Sequence, residues 1–564
     1  MTRAQPDESS TGGHKVKRNK IALAGIALFA TSALALAGCA SGGSDKTDKG
    51  DSSGSSTAII TANGSEPENP LIPTNTNEVG GGKILDAIFA GLAYYDGKGA
   101  LVNDMADDIK VDSPEQLTVT LKKGQKFTDG TEVKADNFIK AWNYGALFSN
   151  KQLNQSWFSD IVGFSDAEDS ELTGLKKVDD YTFTIELTSP VAADFATRLG
   201  YSAYYPLPDV AFDDMEKFGE NPIGNGPYKL DGEGAWQHDV KIALVKNDDY
   251  KGGRTVENGG LTLTFYSSLD AAYADLLSGE LDVIDAIPDT AIATFQDELG
   301  ERAVNQPAAI FQSFTIGEQI AHFSGEEGQL RRAAISMSIN REEITDKIFN
   351  DTRTPASDFT SPVLDGWSDS LKGADVLKYN PDEAKKLWAE ADKISPWSGT
   401  FQIAYNSDSS HQAWVDAVSN SIKNTLGIEA SGAPFVDFAT LRATVNERGA
   451  DGKRTIQTAN RSGWQADYPG LYNFLFPLYS TGASSNDGDY ANPDFDALLK
   501  KGASSSDAAD AIKDYQEAQE ILLKDLPAIP LWYSNVSGGY GESVKNVTFG
   551  WNSVPLYYEI TKTK

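Results

Sequence analysis

Apolar positions along the chain switch repeatedly between a spacing of two and a spacing of three to four, the periods of half-buried strands and of helices. Residues 57–61 are a short β-rich run. Ile84, Leu85, Ile88 and Leu92 then recur at helical spacing over 83–92, and Tyr94-Tyr95-Asp96-Gly97 closes that unit in a turn. Leu117-Thr118-Val119-Thr120-Leu121 alternates cleanly, as does 181–187. Between them 134–144 places Phe138, Ile139 and Trp142 on one helical side. Strands are predicted at 242–245, 261–266 and 281–284, with a helix over 268–277. Further helices are predicted over 329–350, 382–391, 411–425, 495–501 and 508–524, the last ended by Pro527. The runs 401–405 and 528–533 read as strands, and 544–549 and 557–560 as returning strands. Strands interleaved with helices in this way point to sheets covered by helices, a mixed α/β fold. No internal repeat is present.

Length bears on how many cores this pattern builds. At 564 residues the chain exceeds what one hydrophobic core accommodates, so two or three lobes are expected. Hydrophobic content of 40%, with ten Trp, 22 Tyr and 25 Phe, suffices to pack them. The formal charge is −32; the segment before Cys39 has five cations against two acids, which leaves −35 on the remainder. A polyanion of this size repels nucleic acid, and a nucleic-acid function is excluded on that ground. With one cysteine and four histidines there is no intramolecular disulfide, no cysteine-based metal site and no His pair at ligand spacing. No metal or cofactor is expected.

The amino-terminal pattern is of another kind. A basic patch at 15–20 precedes an uncharged apolar run over 21–37, which ends in Leu36-Ala37-Gly38-Cys39. The run has the length of a signal-peptide core and is short for a membrane span. Small residues before a lone cysteine resemble the lipobox of bacterial lipoproteins, so residues 1–38 are expected to be a lipoprotein signal peptide and Cys39 the lipid anchor. Residues 39–56 are almost wholly small and polar, and read as a flexible tether reaching about 20–25 Å. The body is thereby expected to work outside the cell while held to the membrane.

Candidate chemistry concentrates in Arg461-Ser462-Gly463-Trp464-Gln465-Ala466-Asp467-Tyr468-Pro469-Gly470. Gly463 and Pro469-Gly470 predict a loop, able to display Asp467 and Trp464 into a cleft. A carboxylate enclosed beside an indole suits a ligand ammonium, through charge-assisted hydrogen bonds and cation–π attraction. The structural alternative makes Trp464 and Tyr468 core aromatics and Asp467 a turn cap. Gly224-Asn225-Gly226-Pro227 looks like a phosphate loop only superficially. Pro227 forbids the helix start such a site needs, so the segment reads as a structural turn.

Several blocks, in order, resemble the family 5 solute-binding proteins, the oligopeptide and dipeptide receptors of ABC importers. They are the run 121–138 (Leu-Lys-Lys-Gly-Gln-Lys-Phe-Thr-Asp-Gly-Thr-Glu-Val-Lys-Ala-Asp-Asn-Phe), the Gly-Asn-Gly-Pro-Tyr turn of 224–230, and the segment 244–250. The blocks 277–283, 331–344 and 526–533 follow. The resemblance covers 57–564. It implies a periplasmic-binding-protein-like clamshell of class II with three lobes and two hinge crossings. The lobes are a central one from 57–98, 217–310 and 527–564, an inserted one from 99–216, and an opposing one from 311–526. The crossings fall near 306–315 and 526–533.

By this resemblance Asp467 matches the aspartate that receives a peptide's α-ammonium, Trp464 and Gly463 match lining residues, and Arg461 matches an arginine that meets a peptide carboxylate. Val79 falls on a backbone contact from the first lobe, and Tyr533 joins the ligand-binding set. Some members clamp the opposing lobe with a disulfide, which this chain cannot form. The implied protein is a monomeric, lipid-anchored receptor on the outer face of the bacterial cytoplasmic membrane. It captures short peptides and passes them to an ABC permease. An oligosaccharide or metal chelate is the alternative ligand, with Trp464 and Trp532 as stacking rings. A secreted hydrolase is disfavoured, because no Gly-x-Ser-x-Gly elbow is present. A purely structural surface lipoprotein would close on no small ligand.

Overall fold

The computed structural model describes residues 57–563 apart from 408–410, 437, 484 and 506; the signal peptide, Cys39 and the tether fall outside them. Among the described residues no helix is long and apolar enough to cross a membrane. The fold is mixed α/β, and its backbone is a twelve-stranded sheet. At one end of that sheet lie Ala430–Phe435, Phe401–Asn406 and Ala459–Gln465, and at the other Ile59–Gly64, Gly260–Phe265, Lys241–Lys246 and Tyr228–Leu230. Two thirteen-residue strands, Ala303–Thr315 and Ala528–Tyr540, join the ends as an antiparallel pair.

These two strands are where the chain passes from one core to another. Val304 and Val536 pack on a core that also holds Ile60, Leu117, Trp142 and Leu261. Only a few residues away, Phe311, Phe314, Leu531 and Trp532 belong to a second core with Ile403, Trp414 and Phe474. The pairing register is broken between Pro307 and Phe311, at the point where the strands change cores. Proline has no N–H to give the ladder, and a register break bends a strand pair.

A separate four-stranded antiparallel sheet is built from Ala106–Ser113, Gln116–Leu121, Leu175–Asp179 and Thr182–Glu186. Leu117, Val119 and Leu121 are buried while Thr118 and Thr120 face outward, as the period of two requires. The helix Ala135–Ala146 lays Phe138 and Trp142 on this sheet, with Phe183 6.0 Å and 5.8 Å from their rings. This sheet shares its core with the Ile59–Gly64 and Gly260–Phe265 end of the large one.

Elsewhere the element pattern meets some corrections. The helix expected over 329–350 is two, Gly325–Ser338 and Arg341–Phe349, separated where Asn340 caps the second. The run 557–560, expected as strand, is a 3₁₀ turn at Tyr557–Glu559. The segment 224–226 is a structural turn. A Cβ on Gly224 would lie 1.9 Å from the Ile88 carbonyl, and Asn225 exchanges hydrogen bonds with the backbone of Ala90.

The main correction concerns 461–470. The expected loop starts only at Ala466, because Ala459–Gln465 is a strand. It is sandwiched between Ala303–Thr315, antiparallel with Phe311 opposite Trp464 and Gln312 opposite Gly463, and the parallel strand Phe401–Asn406. Hydrogen-bonded neighbours on both sides override glycine's weak local preference. Glycine also suits the crowding, since an added Cβ at Gly463 would lie 3.0 Å from the Phe311 carbonyl.

Candidate functional site

A cavity of about 320 Å³ lies between the two cores. One wall is the first turns of the helix Val79–Ile88. The Glu78 side chain caps this helix by accepting from the Gly81 N–H at 2.7 Å. Gly80 and Gly81 let its first turn press against Ser65 and Thr76, where any Cβ would clash. Val79 is left 53% exposed toward the cavity. Tyr201 and Ser202 add to this side, and Trp551 and Asn552 come from the returning chain.

The facing wall is Gln465, Ala466 and Asp467, where the strand ends and the loop begins. Asn473, buried in the first turn of the helix Leu471–Tyr479, holds this corner. Its Oδ1 accepts from Trp464 Nε1 and from the Asp467 N–H, each at 3.0 Å, and its Nδ2 donates to Asp467 Oδ2 at 3.1 Å. Among the described residues no cation pairs with Asp467. Burial pushes its carboxyl pKa up, and the single bond from Asn473 opposes that only in part. A half-satisfied carboxylate facing an open cavity has hydrogen-bonding capacity left for a cationic donor.

The next residue points elsewhere. The Tyr468 hydroxyl donates to Asp194 Oδ1 at 3.2 Å, and its ring stands edge-on to Trp157 at 6.2 Å with Arg198 over its face at 5.9 Å. Arg198 bridges Asp194 and Asp160. This contact ties the Asp467 loop to the side of the molecule carrying the four-stranded sheet, and sets the cavity wall in place.

The residues singled out from the sequence do not all meet. Asp467 and Val79 line the same cavity from opposite walls. Trp464, Gly463 and Arg461 line a separate space of about 200 Å³ on the second core's side. There Arg461 Nε donates to Asn406 at 2.9 Å and the guanidinium lies 4.7 Å over the Phe438 ring. Tyr533 lines neither space. It is 0% exposed, and its hydroxyl donates to Asp358 Oδ1 at 2.8 Å while accepting from the Asp358 N–H. Trp532 is buried against Trp414 and Phe349, so it offers no face to a sugar.

Sequence reasoning missed Asn473, Tyr201, Trp551 and Asp86, all placed at the site by long-range packing. Only Asp86 carried a signal: it is the one acid in the apolar stretch Ile84-Leu85-Asp86-Ala87-Ile88.

Two core-bearing halves joined by a pair of crossing strands, with a cavity between them, define a clamshell binding protein. The family model for bacterial extracellular solute-binding proteins, family 5 Middle, matches residues 100–486, and the chain belongs to that family. It is 26% identical to the dipeptide-binding protein DppE of Bacillus subtilis, over 93% of this chain and 96% of that one. It is 27% identical to the periplasmic oligopeptide-binding protein OppA of Salmonella typhimurium, over 84% and 87%. Among solved structures, the unliganded open form of the periplasmic murein tripeptide-binding protein MppA superposes with a TM-score of 0.76 at 21% identity, covering 91% of this chain and 98% of that one.

Proposed function

We propose that this protein is a lipid-anchored receptor that captures short peptides between its two halves and presents them to an ABC permease. Asp467 carries the reading: a half-buried carboxylate with no ion-pair partner among the described residues, facing the helix wall at Val79 across a cavity of about 320 Å³. The peptide's α-ammonium neutralises Asp467, and its main chain pairs with backbone at the cavity edge as an added strand. Bending at the register break of the crossing strands lets the halves close over the ligand, and the closed form is the one a permease recognises. Names of related proteins point the same way, since DppE and OppA are dipeptide- and oligopeptide-binding proteins. Cys39 is the anchor in this reading, after cleavage behind Gly38, and the protein acts as a monomer.

The test is isothermal titration of the full-length protein with defined di- and tripeptides and with neutral oligosaccharides. Saturable heat with peptides and none with sugars is the expected result. Binding of sugars with no response to any peptide overturns the reading. Metabolic labelling with a fatty acid, lost on Cys39→Ala, checks the anchor separately.

A further inference from the structure

A smaller cavity of about 100 Å³ opens off the main one and shares Lys83, Asp86, Tyr95 and Trp551 with it. Asp86 is the acidic group at the junction. Its surface is exposed where the two spaces meet. Oδ1 accepts from the Tyr205 hydroxyl at 2.7 Å, and among the described residues no donor reaches the other oxygen.

The cations that line the two spaces are already committed. Lys83 is ion-paired with Asp285. Arg254 pairs with Asp104 at 3.0 Å and donates to the Phe89 carbonyl at 2.9 Å. The neighbouring acid, Asp96, serves its own turn by accepting from the N–H groups of Lys98 and Ala100, both at 2.9 Å. Arg254 also donates to the Asp86 backbone carbonyl, but among the described residues no cation is ion-paired with the Asp86 carboxylate. The walls are the rings of Tyr94, Tyr95, Tyr205 and Trp551, whose faces attract a cation rather than an anion. Tyr201 lies within the fields of both Asp86 and Asp467, which together with burial raise the pKa of its hydroxyl. Asp86, Tyr201 and Asp467 all line the main cavity.

We propose that the side cavity at Asp86 receives a cationic side chain of the bound peptide, so that the receptor favours peptides with a lysine or arginine close to their free amino terminus. This rests on the peptide reading of the main cavity. A second positive centre would make the ion pair that the protein leaves unmade, while its alkyl stem lies along the tyrosine and tryptophan rings. Desolvation lifts the Asp86 carboxyl pKa, opposed by the Tyr205 hydrogen bond and the charge of Arg254.

The test titrates the full-length protein with Lys-Ala-Ala, Ala-Lys-Ala and their norleucine counterparts, which keep the stem and lose the charge. At least tenfold tighter binding of the lysine peptide is expected at one of the two positions, with the gap falling below twofold in Asp86→Asn. Equal affinities of lysine and norleucine peptides at both positions overturn this proposal and leave peptide capture standing. Failure of every peptide to bind overturns the peptide reading itself. A gap that persists in Asp86→Asn overturns the assignment to Asp86. A measurement needing no variant is carbodiimide labelling of Asp86, read by mass spectrometry. Protection by the preferred lysine peptide but not by its norleucine counterpart supports the proposal, and equal labelling overturns it.

Discussion

Asp358 and Asp467 make an instructive pair, because both are aspartates held against aromatic residues on the second core's side of the molecule. Asp358 is 0% exposed. Its Oδ1 accepts from the Thr360 N–H and the Tyr533 hydroxyl, and its Oδ2 from the Thr360 hydroxyl, all at 2.8 Å. Asp467 has one side-chain donor, Asn473, and otherwise faces a cavity. One acid is saturated by its own chain and serves the fold. The other is left incomplete, and a buried charge left incomplete is costly unless something else completes it. Unspent hydrogen-bonding capacity, rather than proximity to an aromatic ring, separates the candidate receptor from the structural group.

The largest expected effect breaks the comparison at its open side. Asp467→Asn keeps the shape and removes the charge, and should weaken peptide binding by about 2–5 kcal/mol while the melting temperature changes little. Unaltered affinity in titration calorimetry would place the ammonium elsewhere.

At the closed side the expected effect is on stability. Burial pushes the Asp358 pKa from 3.8 up to about 6, its hydrogen bonds opposing. A folded-state value above the unfolded one means that between these two pH values the folded chain holds a proton the unfolded chain has released. Stability from this group is therefore present at low pH and is lost as pH rises through about 6, by about 3 kcal/mol in all. Urea midpoints between pH 4 and 7 should show this slope, and Asp358→Asn should flatten it relative to the parent. Parallel profiles for the two proteins would contradict the assignment.

Asn473→Ala sharpens the contrast, since it strips Asp467 of its one side-chain partner and leaves Trp464 Nε1 without its acceptor. A loss of about 1–3 kcal/mol in stability is expected from the unsatisfied groups, together with weaker peptide binding as the carboxylate loses its fixed orientation. Loss of stability with peptide affinity intact would show that the corner needs no fixing.

The smallest effect is assigned to Tyr468→Phe. It removes the bond to Asp194 but keeps the ring between Trp157 and Arg198, and should cost about 0.5–1.5 kcal/mol of stability. Small-angle scattering should show the ligand-free protein more open than the parent. Identical scattering would mean the hydroxyl does not help to hold the two sides together.

The alternating and helical periods of the sequence were enough to predict most elements and the mixed α/β class, because the period of a buried face is written into neighbouring residues. The ordered blocks from 121 to 533 were enough to indicate the family. Asp467 could be singled out because charge, aromatic and turn residues crowd together around it. Only the tertiary structure decided that Ala459–Gln465 is a strand, since its partners come from Ala303–Thr315 and Phe401–Asn406. It also sent Trp464 and Arg461 to one space and Asp467 to another, consigned Tyr533 to the core beside Asp358, set Asn473 against Asp467 and brought Asp86 to the cavity. Local order along a chain reports which residues prefer a face, but which groups remain unpaired depends on what distant segments bring against them.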